Sequence, residues 1–274
     1  MRVSTNTQTL VAQRYLRQHT EELSHEDGKL SSGSRIVRAA DDPAGLAISE
    51  GLNAKLRSNY QVERNTNDSI SLLQVAEGSL SVMTNISTRL RELAMQAAND
   101  TLSDVDRVVI DKEFQAMKNE VERLTVSTSF NGNNIINDKG SVYDLQIGLN
   151  NSSQDRIRYD MKKVMDSSNN FGIASVNLRT KDSAQNSLSK IDNMLSQLSG
   201  SRAELGAMSN RLTSVIQSIQ TSRENIAAAN SKIKDADVAA ESANRMKEQI
   251  AQSSTLEMLN IANNNPSKIL KLIS

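Results

Sequence analysis

Few residues of this chain could bind a metal ion or act as a nucleophile, and their spacing is poor for either task. The chain has no Cys, which excludes thiolate metal sites, disulfides and Cys nucleophiles together. Its two histidines are His19 and His25. Residues six apart on a helix are rotated by about 240°, so these two cannot share one ion. We therefore interpret both as solvated helix residues and expect no metal site.

The adjacent carboxylates Asp41 and Asp42 could act as an acid/base pair, but Pro43 follows them directly. An Asp before a Pro at the first helical position is typical of a helix N-cap. Three nearby glycines lack the spacing of a phosphate loop, and we interpret them as flexible points between helices: Gly28, Gly33 and Gly45. We expect no catalytic residues and no cofactor, so the chain is not predicted to be an enzyme.

The composition favours long helices over a compact globular enzyme. Aromatic residues make up 3% of the 274 residues, with no Trp and 2 Pro. A chain with few rings and few prolines is suited to aliphatic seams between helices. We predict a mainly α fold, an elongated helical rod or coiled coil formed by the N- and C-terminal helices, with a small β-hairpin region.

The charge pattern and hydropathy exclude several classes of partner. The 32 basic and 32 acidic residues are mixed along the chain, so we expect no nucleic-acid binding. No stretch of 18 apolar residues occurs, and we expect no membrane insertion. Residues 1–8 contain no apolar signal core, so we expect secretion, if it occurs, without a cleaved signal peptide.

The strongest pattern is a series of Leu and Ile at every seventh position, which predicts a coiled-coil seam within the subunit. Its members are Ile191, Leu198, Leu205, Leu212, Ile219, Ile226 and Ile233. The companion series, three residues before each member, is polar at intervals: Leu188, Leu195, Arg202, Ser209, Ile216, Arg223 and Asn230. The alternative is a helix lying on a globular core, whose apolar pattern would drift off the 3.5-residue period.

Two further helices are predicted upstream. One carries two heptad series, Leu72, Ser79, Ile86, Leu93 and Ala76, Met83, Leu90, Ala97. The next begins after a break at 99–101, with Ser103 and Asp106 as a start signal. Its apolar stripe consists of Ile110, Phe114, Met117, Val121 and Leu124. These helices can cover one another in a bundle with the seam helix.

Between residues 128 and 180 the apolar period changes from 3.5 to 2. Apolar residues alternate with polar ones at Tyr143, Leu145, Ile147 and Leu149, and again at Ile157, Tyr159 and Met161. This alternation predicts a β-hairpin with one buried face. Residues 166–185 can form little more than a loop.

The two ends carry narrow apolar stripes. The N-terminal stripe includes Leu16, Leu23 and Leu30, and the C-terminal stripe includes Met246 and Ile250, with a helix break predicted at 263–266. Neither stripe can offset the entropy of ordering its own segment. We expect both ends to be assembly helices that order against each other and against neighbouring subunits. The predicted domains are 1–42 and 230–274, the two halves of a terminal coiled coil, and 43–229, a helical rod domain.

Several motifs of the chain resemble those of bacterial flagellin. They are SSGSRI at 31–36, ADDPAGLAI at 40–48, RNTNDSIS at 64–71, LRELAMQAA at 90–98, FNG at 130–132, LGAMSNRL at 205–212 and IKDAD at 233–237. The resemblance covers about residues 1–165 and 185–274, in the family's order and spacing. The family's variable outer domains have no counterpart here, so the chain is similar to a short form.

This resemblance implies a structural subunit that polymerises into the bacterial flagellar filament for swimming motility. The implied partners are copies of the chain itself, the flagellar type III export apparatus, an export chaperone and the filament cap. The subunit would be exported unfolded and fold at the filament tip, outside the cell. The alternative within the same class is a hook-associated or junction protein, and a signalling coiled coil such as a chemoreceptor rod is a third hypothesis.

The resemblance also singles out Arg89, Leu93 and Glu113. In flagellins the matching positions pack subunits along the filament and are recognised by mammalian Toll-like receptor 5. From the residues alone, this charged helix surface is expected to help subunits pack. We take packing as the main role and recognition by the innate immune receptor as an additional one.

Overall fold

Helices dominate this computed structural model, which describes residues 6–136, 142–160 and 172–273. Within those residues the helices are α1 (Thr7–Ser32), α2 (Pro43–Ala97), α3 (Asp104–Ser127), α4 (Lys181–Lys234) and α5 (Val238–Ile273). Two antiparallel pairs follow α3: β1 (Ser129–Phe130) with β2 (Asn133–Asn134), and β3 (Val142–Gln146) with β4 (Arg156–Asp160). The mainly α fold with a small β region is confirmed.

The predicted hairpin is formed by β3 and β4, in which Tyr143 pairs with Tyr159 and Leu145 with Ile157. Tyr159 and Ile157 are buried, so one face of the hairpin joins the core as the alternation predicted. The predicted strand residue Met161 lies outside the described residues.

The chain groups into two compact units, Met1–Leu56 with Glu224–Ser274, and Arg57–Arg223. We call these the terminal unit and the middle unit. The division falls within α2 and within α4, so each of these helices contributes residues to both units. The predicted domain boundaries at 42/43 and 229/230 separate the segments that we expect to become ordered during assembly from the rod domain. These boundaries stay a prediction.

In the middle unit, α2 buries a wider arc than its heptad pattern predicts. Ala76, Met83, Leu90 and Ala97 have no exposed surface, as expected of a seam. A second series, which the sequence pattern did not single out, is at most 1% exposed: Leu73, Leu80, Ser87 and Ala94. The hydrophobic core takes residues from α2, α3, α4 and the hairpin, so α2 packs against more than one neighbour.

The seam of α4 lies partly in this core. Five of its seven members, from Ile191 to Ile219, are at most 8% exposed, whereas Ile226 and Ile233 are half-buried. The companion positions are different from those predicted. Met194 and Ser201, three residues after a seam member, are the buried ones, and the series from Leu188 to Asn230 is half-buried. Ser87 of α2 contacts Met194 across the seam at 3.6 Å (Oγ to Sδ).

Arg107 joins the end of α2 to the start of α3, where Ser103 and Asp106 form the predicted capping box. The Arg107 side chain is 7% exposed. Its guanidinium donates to the carbonyls of Ala97 and Asn99, each at 2.9 Å, and to Asp104 Oδ1 at 2.7 Å. The last carbonyls of a helix lack backbone donors, so this buried cation satisfies the end of α2.

Two of the glycines predicted as flexible points, Gly33 and Gly45, have defined structural roles in and near the turn between α1 and α2. Gly33 ends α1 with φ +65°, a left-handed conformation that favours Gly. Asp42 Oδ1 accepts from the Gly45 amide at 2.8 Å, as expected of an N-cap. A Cβ on Gly45 would lie 2.3 Å from Asp42 Oδ2, and Gly28 lies within α1. Gly33 and Gly45 therefore serve capping and close packing, and the interpretation of Gly28 as a flexible point stays a prediction.

We expect Arg107→Met to lower the free energy of unfolding of the full chain by about 2–3 kcal/mol, because buried carbonyls lose a charged donor. Urea denaturation followed by circular dichroism measures it. The matched control is Arg123→Met on the same helix, whose side chain is 60% exposed and paired with Glu120. The control should change stability by less than about 0.5 kcal/mol, and equal effects of the two variants would contradict the capping role.

Candidate assembly surface

Helices α1 and α5 pair in antiparallel orientation within the terminal unit. Asn6, at the start of α1, donates to the carbonyl of Ala262 near the end of α5, with 2.8 Å between Nδ2 and the oxygen. Near the other end of the pair, Arg245 Nε donates to Asp27 Oδ1 at 2.5 Å. The two ends of the chain are therefore partners of each other, as the sequence predicts.

The seam between α1 and α5 has alternating spacings of three and four residues, the pattern of a coiled coil. Its α1 members are buried or half-buried: Thr9, Ala12, Leu16, His19, Leu23, Glu26 and Leu30. Its α5 members are half-buried or buried as well: Glu241, Arg245, Glu248, Gln252, Thr255, Leu259 and Ala262. Leu16, Leu23 and Leu30, predicted as assembly residues, thus lie in the seam within one chain.

Charged residues fill part of this seam. Lys29 Nζ lies 3.0 Å from Glu26 Oε1 and 3.6 Å from Glu241 Oε2. Burial, followed by the hydrogen bond with Glu241, raises the pKa of Glu26, and the same hydrogen bond lowers the pKa of Glu241. Such a layer specifies which helices pair, but it stabilises the pair less than leucines would.

The interpretation of His19 as a solvated helix residue is wrong, whereas His25 is partly exposed but also has a carboxylate partner. His19 lies in the seam, with its Nδ1 2.8 Å from Glu248 Oε2, and this hydrogen bond is the main cause that lowers the pKa of Glu248. His25 Nε2 lies 3.0 Å from Asp41 Oδ1 in the turn after α1. The backbone amide of Arg38 is the main cause that lowers the pKa of Asp41 to about 2. Both imidazoles face carboxylates that are distant in sequence, which spacing along one helix could not reveal.

Asn6 compensates for a proline in α5. The backbone of α5 continues to Ile273, so the helix break predicted at 263–266 is wrong. Pro266 has no N–H, which leaves the carbonyl four residues earlier, that of Ala262, without its helical donor. The Asn6 amide supplies that donor at 2.8 Å, while its Oδ1 accepts from the Thr9 amide at 3.2 Å and caps α1.

The outer face of α5 is apolar. Met246, Ile250 and Ile261 are 56%, 65% and 60% exposed. At 100° per residue these three lie within an arc of about 60°, centred about 180° from the seam with α1. We call them the outer stripe. The usual amphipathic arrangement is reversed on this helix, because its partner-facing side is largely polar and its solvent-facing side carries large apolar residues.

The residues singled out by resemblance on the middle unit occupy different environments. Arg89 Nη2 lies 2.8 Å from Glu113 Oε1, and Arg89 Nη1 lies 3.1 Å from Glu92 Oε2. Arg89 and Glu113 are about half exposed, whereas Leu93 is 2% exposed and belongs to the core. An outside partner can contact the ion pair, and Leu93 can affect that surface through packing. The roles assigned to these residues stay predictions.

Within the described residues, no helix combines the length and the hydropathy that crossing a bilayer requires.

Two family models match most of the chain. The bacterial flagellin N-terminal helical region matches residues 3–141, and the bacterial flagellin C-terminal helical region matches residues 188–273. These ranges contain α1, α2, α3, α5 and α4 from residue 188 onward, and they omit residues 142–187, where β3 and β4 lie.

Known relatives agree with the family models. A flagellin from Halalkalibacterium halodurans is 39% identical over 245 residues, or 89% of each chain. The flagellar filament 30.7 kDa core protein of Treponema maltophilum is 32% identical over 285 aligned positions, covering 100% of both chains. A solved structure from Vibrio parahaemolyticus, described as a flagellar hook-associated protein, matches 71% of this chain and 100% of its own with a TM-score of 0.60. At 14% identity that match indicates a shared fold alone. With both helical regions matched and relatives aligned over nearly its whole length, the chain belongs to the bacterial flagellin family.

Proposed function

We propose that this chain is the structural subunit of a bacterial flagellar filament and that the outer stripe of α5 binds neighbouring copies of the chain. The reversed amphipathicity of α5 is the observation that carries this proposal. Its seam is already occupied by α1, yet Ile250 is 65% exposed on the opposite side. Burying such side chains against another subunit removes apolar surface from water.

The polar seam supports a link between folding of the ends and polymerisation. Its charged layers contribute little net stability to an isolated pair, since each buried charge loses hydration. Contacts with neighbouring subunits would add the missing apolar burial. The ends of a free subunit are then largely unpaired, and they become helical as the subunit joins the filament.

This order of events fits export before folding. The chain has no Cys that could cross-link in transit. We propose that it leaves the cell unfolded through the flagellar export apparatus with the help of a chaperone, and that it folds beneath the filament cap. Its place of action is then the flagellum outside the cell.

The second candidate, a hook-associated or junction protein, is favoured by one observation, the fold shared with the Vibrio parahaemolyticus structure. Electron microscopy of purified protein after seeding separates the two functions. A filament subunit grows long uniform filaments, whereas a junction protein forms short or capped assemblies. Growth of long filaments is the result we expect.

Deleting residues 1–30 should yield a soluble chain that keeps the middle unit and does not polymerise. The deletion removes nearly all of α1 and leaves α5 without its partner. Circular dichroism reports the remaining helices, and electron microscopy reports assembly. Normal filaments from the deleted chain would contradict the role of end pairing.

Ile250→Asp should block polymerisation without unfolding the subunit, because the charge lies on the outer stripe and not in the seam. The matched control is Gln249→Asp, which adds the same charge at an exposed neighbouring position off the stripe. Sedimentation of seeded protein measures the polymerised fraction. We expect loss of polymer for Ile250→Asp and retention for Gln249→Asp. Equal polymerisation of both variants would exclude the outer stripe as an interface.

Arg89→Asp tests the second surface. The change places an acid beside Glu92 and Glu113, so it breaks two ion pairs and adds repulsion. We expect shorter or fewer filaments, and weaker signalling in cells that express Toll-like receptor 5. Arg123→Asp, which disrupts an ion pair with Glu120 elsewhere on α3, is the control. If Arg89→Asp leaves assembly and signalling intact, both proposed roles are wrong.

A further inference from the structure

Two layers of the α1/α5 seam, one heptad apart, bring corresponding residues together. One layer consists of Glu26, Lys29 and Glu241, and the other consists of His19, Glu22 and Glu248, each seven positions from its equivalent. In the first layer a lysine ammonium lies between two carboxylates. In the second layer the lysine position is taken by Glu22, and the two carboxylates face an imidazole.

The three side chains of the second layer converge from both helices. His19 Nδ1 lies 2.8 Å from Glu248 Oε2 and 3.8 Å from Glu22 Oε2. The three ligand atoms all lie within 4.8 Å of one another. Gln18 Nε2 donates to Glu22 Oε1 at 3.0 Å and holds that carboxylate so that its other oxygen faces His19. Support of a ligand by a neighbouring hydrogen bond is a regular feature of metal sites.

This donor set suits a small divalent transition-metal ion. Zinc takes imidazole nitrogen and carboxylate oxygen at about 2.0–2.2 Å, so its tetrahedral ligand atoms lie about 3.3 Å apart. Small side-chain rotations bring the three atoms from their present separations to that value. Water would complete the coordination as the fourth ligand.

We propose that His19, Glu22 and Glu248 bind a zinc-class divalent ion that ties α1 to α5. The ion supplies, in this layer, the positive charge that Lys29 supplies in the layer one heptad away. It links residues 229 positions apart in sequence, and so it stabilises the paired ends relative to the separated ends. The ligands all come from one chain, so zinc binding shifts the largely unpaired ends of the free subunit toward the paired state.

The test uses the full chain, both as monomer and as filament. After dialysis against zinc and then against metal-free buffer, elemental analysis gives zinc per chain, and calorimetry of the monomer gives affinity. We expect one zinc per chain and a rise of about 5 °C in the unfolding midpoint of the terminal helices with zinc relative to chelator. Gln18→Ala should weaken binding about 10-fold, as loss of an outer hydrogen bond usually does.

Variants distinguish this site from adventitious binding. His19→Gln should lose bound zinc while keeping its helix content by circular dichroism. His25→Gln and Glu241→Gln, which alter the other histidine and the layer that contains Lys29, should keep it. Zinc retained by His19→Gln, or one-to-one binding by neither monomer nor filament, would show that the layer is an ion pair alone. Filament growth in chelator is scored separately by electron microscopy, so a failure of the zinc site is distinguishable from a failure of the proposed function.

Discussion

The pairing of the first helix with the last is the interaction on which the rest of the structure's function depends. On α1 its seam contains three leucines at one series of positions, whereas most of the other seam positions on α1 and α5 are charged or polar. A coiled coil of this composition fixes partner and register well but gives limited stability. The same pairing also determines what α5 presents outside, because whichever face binds α1 leaves the opposite face exposed. The face of α5 that pairs with α1 therefore determines both which residues form the polar seam and which form the apolar outer stripe.

The middle unit has a large apolar core instead of a polar seam. There α2 buries Leu73, Leu80 and Met83 nearly completely, and Arg107 satisfies carbonyls at the end of that helix. Asp111, which is 4% exposed, accepts from the Leu178 amide at 2.9 Å and fixes the segment before α4 onto α3. Burial alone would raise the pKa of Asp111, but this bond, Gln115 and Arg179 lower it. A unit of this kind holds its shape without neighbours, which a subunit that waits for assembly needs.

Periodicity predicted the helices and the hairpin well, because long heptad repeats and strict alternation are local signals. It failed where a second neighbour or a distant partner decides the environment. The buried series that contains Leu73 was missed because a helix covered on two sides buries more than a two-series seam. His19 was assigned to solvent because Glu248 is 229 positions away. Pro266 was taken as a helix end because the donor that replaces its missing N–H belongs to the other end of the chain. The motifs identified the family, but the outer stripe required knowing which side of α5 faces α1.

Asn6 shows how far the ends depend on each other. Without Asn6, α5 would have an unsatisfied carbonyl beside Pro266, and α1 would lack its N-cap; each loss typically costs about 1 kcal/mol. Asn6 caps α1 from within that helix, but its bond to Ala262 forms only when the helices are paired, so α5 does not satisfy its backbone alone. A seam of leucines throughout would remove that dependence, and the ends would then pair in the monomer before assembly. In our proposal, the polar layers at Glu26 and His19 keep pairing weak enough that neighbouring subunits and a metal ion decide when it occurs.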